Sequence, residues 1–382
     1  MKRLWGIFLC VLLVCGVFPL TAKAAPPEVK AKSALLMDTA TGTVLYESNA
    51  HTPLAPASVT KVMTMLLIME AIDDGRIHWD DTVTASEDAA AKGGSQIYLK
   101  VGETMTVADM VKSIAVSSAN DCACAMAEHI AGSESAFVDM MNLRAQQLEM
   151  KDTHFVNCTG LDDDPEAANH LTSAYDIAVM SRELLRNHPD IKKYTTIWMD
   201  TVRGGTFGLS NTNKLVRFYP GATGLKTGFT SGAGYCLSAS AERDGMELVA
   251  VVMGSETSKD RFAACKMLLD YGFANYAVFQ PELNETMQVP VTMGKEDFVN
   301  AIPAEDTTLL VDKAQRNAVK VQYALDESVA APVSKGQRLG TLTVTVGEQV
   351  ISQIPLVAEK TVEKLTWGDL VIRFFKALTA AK

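Results

Sequence analysis

Short extended runs stand at both ends of a helix-rich stretch, and that arrangement narrows the fold more than any other feature of the chain. Ala34 to Asp38 and Thr43 to Ser48 read as strands around the turn Thr39-Ala40-Thr41-Gly42. Far along the sequence, Gly234 to Glu242 and Met246 to Met253 read as a second pair. Arg243-Asp244-Gly245 between them is a hairpin signal. The intervening residues carry helical spacing. A helix starts at about Ser58, with Val59, Val62, Met63, Leu66 and Leu67 in period, and ends at Asp73-Asp74-Gly75. Thr106 is placed to cap a helix with Val107, Met110, Val111 and Ile114 on one face. Asp121 to Ala131 and Ser135 to Leu148 also read as helices, and Ser173-Ala174-Tyr175-Asp176 has the form of a capping box before Ile177 to Leu185. Phe262 to Tyr271 adds a helix after the second hairpin. Strands first and last with helices between them predict an α+β fold, an antiparallel sheet packed against helices.

The pattern changes twice after that. From about Pro281, Met287 to Val291, Ala318 to Ala324, Arg338 to Val346 and Gln349 to Leu356 are short β-rich runs separated by turn residues. They predict a small all-β domain. At the end of the chain, Trp367, Leu370, Val371, Phe374, Phe375 and Leu378 fall on one helical face, with Lys364, Arg373, Lys376 and Lys382 nearby. This run is too short and too charged to span a bilayer. A basic amphipathic helix lying on a membrane surface is the expected reading. A helix docked on the protein itself is the alternative.

The other end reads as an export signal. Lys2 and Arg3 precede an apolar stretch from Leu4 to Leu20, and Ala22-Lys23-Ala24 is a small-x-small cleavage site. The expected organisation is a signal peptide at 1–24, an α+β domain at 25–280, an all-β domain at 281–360 and a surface helix at 361–382. Localisation follows as extracytoplasmic, on the outer face of the cytoplasmic membrane. The net charge of −10 does not suggest a nucleic-acid partner. Of the seven cysteines, Cys10 and Cys15 fall in the leader. Cys122, Cys124, Cys158, Cys236 and Cys265 remain, an odd number at irregular spacing that implies no disulfide framework. They are expected as small buried apolar residues, with one bridge open as an alternative. No cofactor and no metal is expected, since the six histidines show no ligand spacing.

Three short motifs carry the chemistry. Ser58-Val59-Thr60-Lys61 puts a hydroxyl and an amine at i and i+3, on one face of a helix. A nucleophilic serine needs a base to take its proton, and Lys61 serves if burial and nearby cations lower its pKa. Ser118-Ala119-Asn120 offers a hydroxyl for proton relay and an amide for a substrate amide; a capped helix junction is its plain structural reading. Lys226-Thr227-Gly228 offers a fixed charge, a hydroxyl and a glycine at the end of a strand, where an extended substrate could approach the backbone.

In this order the motifs resemble those of the low-molecular-mass penicillin-binding proteins, the serine D-alanyl-D-alanine carboxypeptidases. The resemblance also rests on Leu35-Leu36-Met37-Asp38, Asn211-Thr212-Asn213-Lys214-Leu215, Gly224-Leu225-Lys226-Thr227-Gly228-Phe229-Thr230 and Ala233-Gly234-Tyr235-Cys236. It implies a penicillin-binding-type domain and removal of the terminal D-alanine from peptidoglycan stem peptides. β-Lactam antibiotics would then act as covalent inhibitors. By position, Ser58 would be the acyl-ester nucleophile, Lys61 the general base and Ser118 the proton relay. Asn120, Lys226, Thr227, Gly228, Phe229 and Arg261 would bind substrate. The backbone N–H groups of Ser58 and Phe229 would form the oxyanion hole, and Thr227 with Arg261 would hold the terminal carboxylate. Thr223 stands where many relatives carry an acid.

Alternatives differ in substrate or in chemistry. An endopeptidase cutting cross-links uses the same residues. A non-catalytic penicillin-binding sensor would not need every motif. A β-lactamase would need a water-positioning Glu-x-x-Leu-Asn segment, and Glu183-Leu184-Leu185-Arg186-Asn187 has Arg where Leu belongs.

Overall fold

The computed structural model describes residues 25–163, 165–283 and 287–380, with side chains described through residue 373. The expected signal peptide lies outside the described residues. The main sheet has five antiparallel strands: β1 (Ser33–Asp38), β2 (Val44–Ser48), β3 (Ala222–Thr230), β4 (Gly234–Arg243) and β5 (Met246–Ser255). Their spatial order is β2-β1-β5-β4-β3, so the first strand of the domain pairs with the last, with Leu35 opposite Val251. Asp244 and Gly245, both at positive φ, make the predicted hairpin turn between β4 and β5.

All six residues of β1 are buried. The pleat explains this. Leu35 and Met37 point into the larger core, while Ala34 and Leu36 point into a second one on the opposite face. A strand covered on both sides has no polar face, and Ser-Ala-Leu-Leu-Met-Asp reads accordingly.

The larger core is helical. Helix α1 (Lys61–Asp73) runs through its centre, joined by α2 (Val107–Ser117), α3 (Asn120–Ala131), α4 (Glu134–Gln147) and α5 (Ala174–Asn187). Ten residues of α1 are buried, including Met65, Ile68 and Met69 outside the predicted stripe. A helix that is apolar all round belongs inside a protein. Thr106 caps α2 by accepting from Asp109 N–H, as expected. Ser173 caps α5, but the reciprocal half of the predicted box does not form: Asp176 accepts instead from Asp152 N–H and Thr153 Oγ1. Helix α6 (Ser258–Asn275) covers the other face of the sheet. It sits close because Gly272 has no side chain; a Cβ there would lie 2.5 Å from Leu248 Cδ1.

The chain then forms β6 (Gln288–Thr292), β7 (Phe298–Pro303), β8 (Val319–Leu325), β9 (Val329–Ala330), β10 (Arg338–Val346) and β11 (Gln349–Ala358), one sheet in the order β8-β10-β11-β7-β6-β9. Its core includes Val289, Leu342, Ile354 and Leu356. The all-β unit continues past residue 360: Val362 is buried and bridges to Val333. Helix α7 (Trp367–Ala380) follows. Its Arg373 pairs with Asp297 at 3.0 Å and donates to Lys295 O, both in the connection between β6 and β7. Trp367 is 85% exposed, and Val371 and Ile372 are exposed as well. The side chains of Phe374, Phe375 and Leu378 lie outside the described residues. Among the described residues, no helix is long and apolar enough to cross a membrane.

Candidate active site

The three motifs reach one place from three parts of the chain. Ser58 sits in a single 3-10 turn, Ala57–Thr60, rather than in the α-helix predicted to begin there; Lys61 opens α1. The i, i+3 spacing brings the two side chains together even so, because a 3-10 turn repeats every three residues. Lys61 Nζ lies 3.0 Å from Ser58 Oγ and donates to Thr159 O at 2.8 Å. Ser58 is half-buried, whereas Lys61 is wholly buried.

Burial sets the protonation of Lys61. Removing the ammonium from water brings its pKa down to about 7, and the carboxylate of Asp121 opposes the fall. The sequence reading also invoked nearby cations, but burial is what depresses this lysine. Lys226, also buried, is pushed well below its usual value by the same desolvation, then by the charges of Lys61 and Arg261.

Two glycines let the chain close around Ser58. Gly228 lies inside β3 and not at its end, since the strand continues to Thr230. A Cβ at Gly228 would lie 2.6 Å from Pro56 O and 3.1 Å from Ser58 N. Its missing side chain thus admits the protein's own Pro56-Ala57-Ser58 turn. On another side, Gly160 at φ +79° presses against Ala57 O and Thr60 Oγ1. The loop that carries Gly160 is held by Thr64 Oγ1 on Cys158 O at 2.6 Å and by Glu134, which accepts from Cys158 N–H at 3.1 Å. Glu134 is itself paired with Lys92 at 2.5 Å.

Ser118 ends α2 in the left-handed conformation, φ 64°. Its buried Oγ has no hydrogen-bond partner among the described residues, and neither does Asn120 Oδ1. Asn120 Nδ2 donates to Gly93 O at 2.7 Å. A cavity of 310 Å³ backs onto the site through Gly93 and Thr159, the residues whose carbonyls hold Asn120 and Lys61.

The remaining expected residues line β3 and its neighbours. Thr227 Oγ1 donates to Thr212 Oγ1 at 2.7 Å. Phe229 is 53% exposed and stacks on Tyr235, with ring centroids 4.2 Å apart. Arg261 comes from α6 and donates through Nη1 to Gly228 O at 2.9 Å and Cys236 O at 3.3 Å. Part of its guanidinium therefore braces the strand pair, while its buried Nε has no partner among the described residues. Thr223 supplies no carboxylate, but its hydroxyl contacts Glu247 Oε1 at 2.9 Å, so an acid reaches that position from β5.

Sequence reasoning missed the support beneath Ser58. His170 Nδ1 accepts from Val156 N–H, so Nε2 carries the proton and donates to Thr60 Oγ1 at 2.7 Å; Thr60 in turn donates to Ala57 O. Burial, and then the charges of His154 and Lys61, lower the His170 pKa to about 4, which keeps the ring neutral. A lone histidine far along the chain gave no signal of this. The five cysteines are free thiols and buried, as expected. Glu183 lies on α5 and is paired with Arg144 at 2.7 Å.

Comparison with known proteins decides the family. The model of the D-alanyl-D-alanine carboxypeptidase family matches residues 20–257, more than half of the chain, and that of the penicillin-binding protein 5 C-terminal domain matches residues 282–364. The chain belongs to the D-alanyl-D-alanine carboxypeptidase family. It is 45% identical over 341 residues to D-alanyl-D-alanine carboxypeptidase DacF of Bacillus subtilis, covering 88% of this chain and 86% of that one. Among solved structures, penicillin-binding protein 5 of Haemophilus influenzae superposes with a TM-score of 0.78 at 33% identity, over 89% of this chain and 100% of the other. Penicillin-binding protein D2 of Listeria monocytogenes, in its ampicillin-bound form, gives a TM-score of 0.59 at 31% identity, over 65% of this chain and 100% of that one. The expected α+β domain followed by an all-β domain is the architecture of this family's structures. The function is that of a D-alanyl-D-alanine carboxypeptidase, and the endopeptidase and sensor alternatives are not favoured.

Proposed function

We propose that this carboxypeptidase works as a serine-type enzyme, with an acyl-enzyme formed on Ser58. The observation that carries the reading is the 3.0 Å approach of Lys61 Nζ to Ser58 Oγ, with Lys61 out of water. When Lys61 is neutral, one N–H can stay on Thr159 O while the lone pair takes the Ser58 proton. Ser58 Oγ then attacks the carbonyl of the penultimate D-alanine. The developing oxyanion is met by the backbone N–H groups of Ser58 and Phe229, each donor worth about 10²–10³ in rate in comparable sites. Ser118 passes the proton to the departing D-alanine nitrogen, and Lys226 completes the proton network. Asn120 holds the substrate amide, and Thr227 with Arg261 takes the terminal carboxylate. Gly228 keeps β3 close to the nucleophile. Water repeats the sequence in reverse and releases the shortened peptide. No metal or other cofactor enters this scheme.

The expected substrate is the peptidoglycan stem pentapeptide, and β-lactams would acylate Ser58 because their strained amide presents the same carbonyl. Ser58→Ala tests the assignment. Loss of both fluorescent-penicillin labelling and D-alanine release is expected; labelling at the full rate would overturn it.

The cellular setting is part of the same proposal. A leader at 1–24 directs export, and residues 25–280 and 281–360 form the catalytic and all-β units. The segment 361–382 carries the helix that lies on the outer face of the cytoplasmic membrane. Support comes from the exposed Trp367 and Val371 together with the exposed Lys364, an apolar surface with a cation beside it.

A further inference from the structure

A cavity of 520 Å³ opens where the catalytic unit meets the all-β unit, and three cations line it. Arg243 comes from the end of β4, while Lys313 and Arg316 come from the 3-10 turn Lys313–Ala318 that leads into β8. Asp244 is the one acid of the lining, which also includes the rings of Phe273 and Tyr276. Three cations less one acid leave a net charge of +2. Asp270 is 4.0 Å from Arg243 Nη1 and is not part of the lining. Four other cavities carry at least as many acids as bases. That is the expectation for a chain with 45 acids against 35 lysines and arginines, and the junction cavity reverses it.

The donors are fixed in place but not used up inside the protein. The Arg243 guanidinium is held over the Phe273 ring, 4.6 Å from its centroid, and Nε donates to Pro220 O at 3.1 Å. Lys313 Nζ donates to Phe273 O at 2.6 Å, which occupies one of the three N–H groups of an ammonium. Arg316 is exposed and forms no ion pair or side-chain hydrogen bond among the described residues. An arginine beside a cavity, unpaired in a chain with a surplus of acids, leaves its whole donor fork for an anion from outside.

We propose that this cavity binds a phosphate group between Arg243 of the catalytic unit and Lys313 and Arg316 of the all-β unit. A phosphate ester carries about −1.5 to −2 charge at neutral pH, which matches the lining, whereas a carboxylate would leave a cation unmatched. Guanidinium forks suit phosphate oxygens, and the ammonium adds a point charge. The volume exceeds what a phosphate fills, so there is room for an organic body against Phe273 and Tyr276. The site is separate from the catalytic one. Arg243 ends β4, whereas Tyr235, near its start, stacks on Phe229, about 26 Å away along the strand. It is also set apart from α7. Arg373 of that helix pairs with Asp297 in the connection between β6 and β7, while the cavity adjoins the start of β8. Strands β6 and β8 stand four places apart in the sheet, or about 19 Å. A bound phosphate would join the two units by charge-assisted hydrogen bonds from both.

Calorimetric titration of the whole mature chain at constant ionic strength tests the site with three probes: inorganic phosphate, a short glycerol-phosphate oligomer, and a short-chain phosphatidylglycerol below its micelle concentration. Saturable binding of inorganic phosphate at one site is expected. Arg316→Ala should weaken it by about tenfold or more, because hydrogen bonds to a charged group are lost. Arg316 is exposed, so this variant is expected to fold and to release D-alanine from a free pentapeptide at the parent's rate. Lys313→Met is a second arm and should weaken binding in the same direction. Tighter binding of the oligomer or of the lipid headgroup, lost in the same variants, names the source of the phosphate; equal binding of all three makes the free ion the ligand. Absence of saturable phosphate binding overturns the site. So does binding that Arg316→Ala leaves at the parent's affinity, since the phosphate would then sit elsewhere.

Discussion

A Cβ placed on Gly160 would lie 1.9 Å from the carbonyl oxygen of Ala57, so the loop after α4 and the turn bearing Ser58 are in backbone contact. Thr159, one residue earlier, accepts from Lys61 Nζ. The same loop therefore sets the height of the serine turn and the position of the lysine. Gly160→Ala combines this clash with a left-handed φ of +79°. The expected cost is about 3 kcal/mol or more in unfolding free energy, together with slower penicillin acylation. Chemical denaturation and labelling kinetics on one preparation check both. A variant with unchanged stability and labelling would show that the loop yields freely.

Acylation should follow the neutral fraction of Lys61. Its pKa of about 7 means that the ammonium form, which cannot accept the Ser58 proton, accumulates as pH falls below that value. The kcat/KM for D-alanine release, or the second-order rate of penicillin labelling, is expected to rise with pH through a midpoint near 7. A midpoint above 9 would mean that Lys61 keeps an ordinary lysine pKa and that burial does not tune it.

Ser118→Ala is expected to separate stability from activity. Its hydroxyl is buried without a partner among the described residues, so replacing it removes no hydrogen bond. Ser118→Ala should unfold within about 0.5 kcal/mol of the parent, or be slightly more stable, while D-alanine release falls by about 10² or more. Denaturant melts and turnover measured together decide it. A large stability loss with normal turnover would make Ser118 a structural cap.

Truncation distinguishes two parts of the C-terminal segment. Val362 is buried against the β-domain core, whereas Trp367 is 85% exposed. A chain ending at Leu365 should remain in solution when mixed with anionic vesicles and keep its hydrolysis of a soluble peptide. A chain ending at Lys360 should also release, and in addition melt earlier, because the Val333–Val362 bridge is lost. Sedimentation of the Leu365 form with vesicles would remove the helix from the membrane account.

The parts legible in sequence were those fixed by local pattern. Strand alternation and the Asp244-Gly245 turn located the hairpin, and Thr106 and Ser173 located helix starts, because each is decided by neighbours within a few residues. What stayed hidden depends on distant packing. His170 supports Ser58 through Thr60, across 110 positions of sequence, and no spacing rule connects them. The packing of the Pro56-Ala57-Ser58 turn against Gly228 stayed hidden for a related reason: a glycine announces a close approach but not which segment approaches. The strand Phe298–Pro303 escaped because Asn300 and Pro303 interrupt its apolar run, although Val299 and Ala301 fill the β-domain core. Arg261 was expected to hold a terminal carboxylate with Thr227, and its bonds to the Gly228 and Cys236 carbonyls could not be foreseen without knowing which strands pair.

The pairing of β1 with β5 has a consequence for the chain while it is being made. Leu35 leaves the ribosome early and cannot find Val251 until more than two hundred further residues have followed. Ser58 and Lys61 emerge together, yet the strand that must lie beside them and the one that anchors that strand come last. A nascent chain is therefore expected to be hydrolytically silent until the last strand of the sheet docks. Penicillin reactivity would then be a clock for completion: it would count finished domains, and pulse-labelled chains should become reactive in one step and not by degrees.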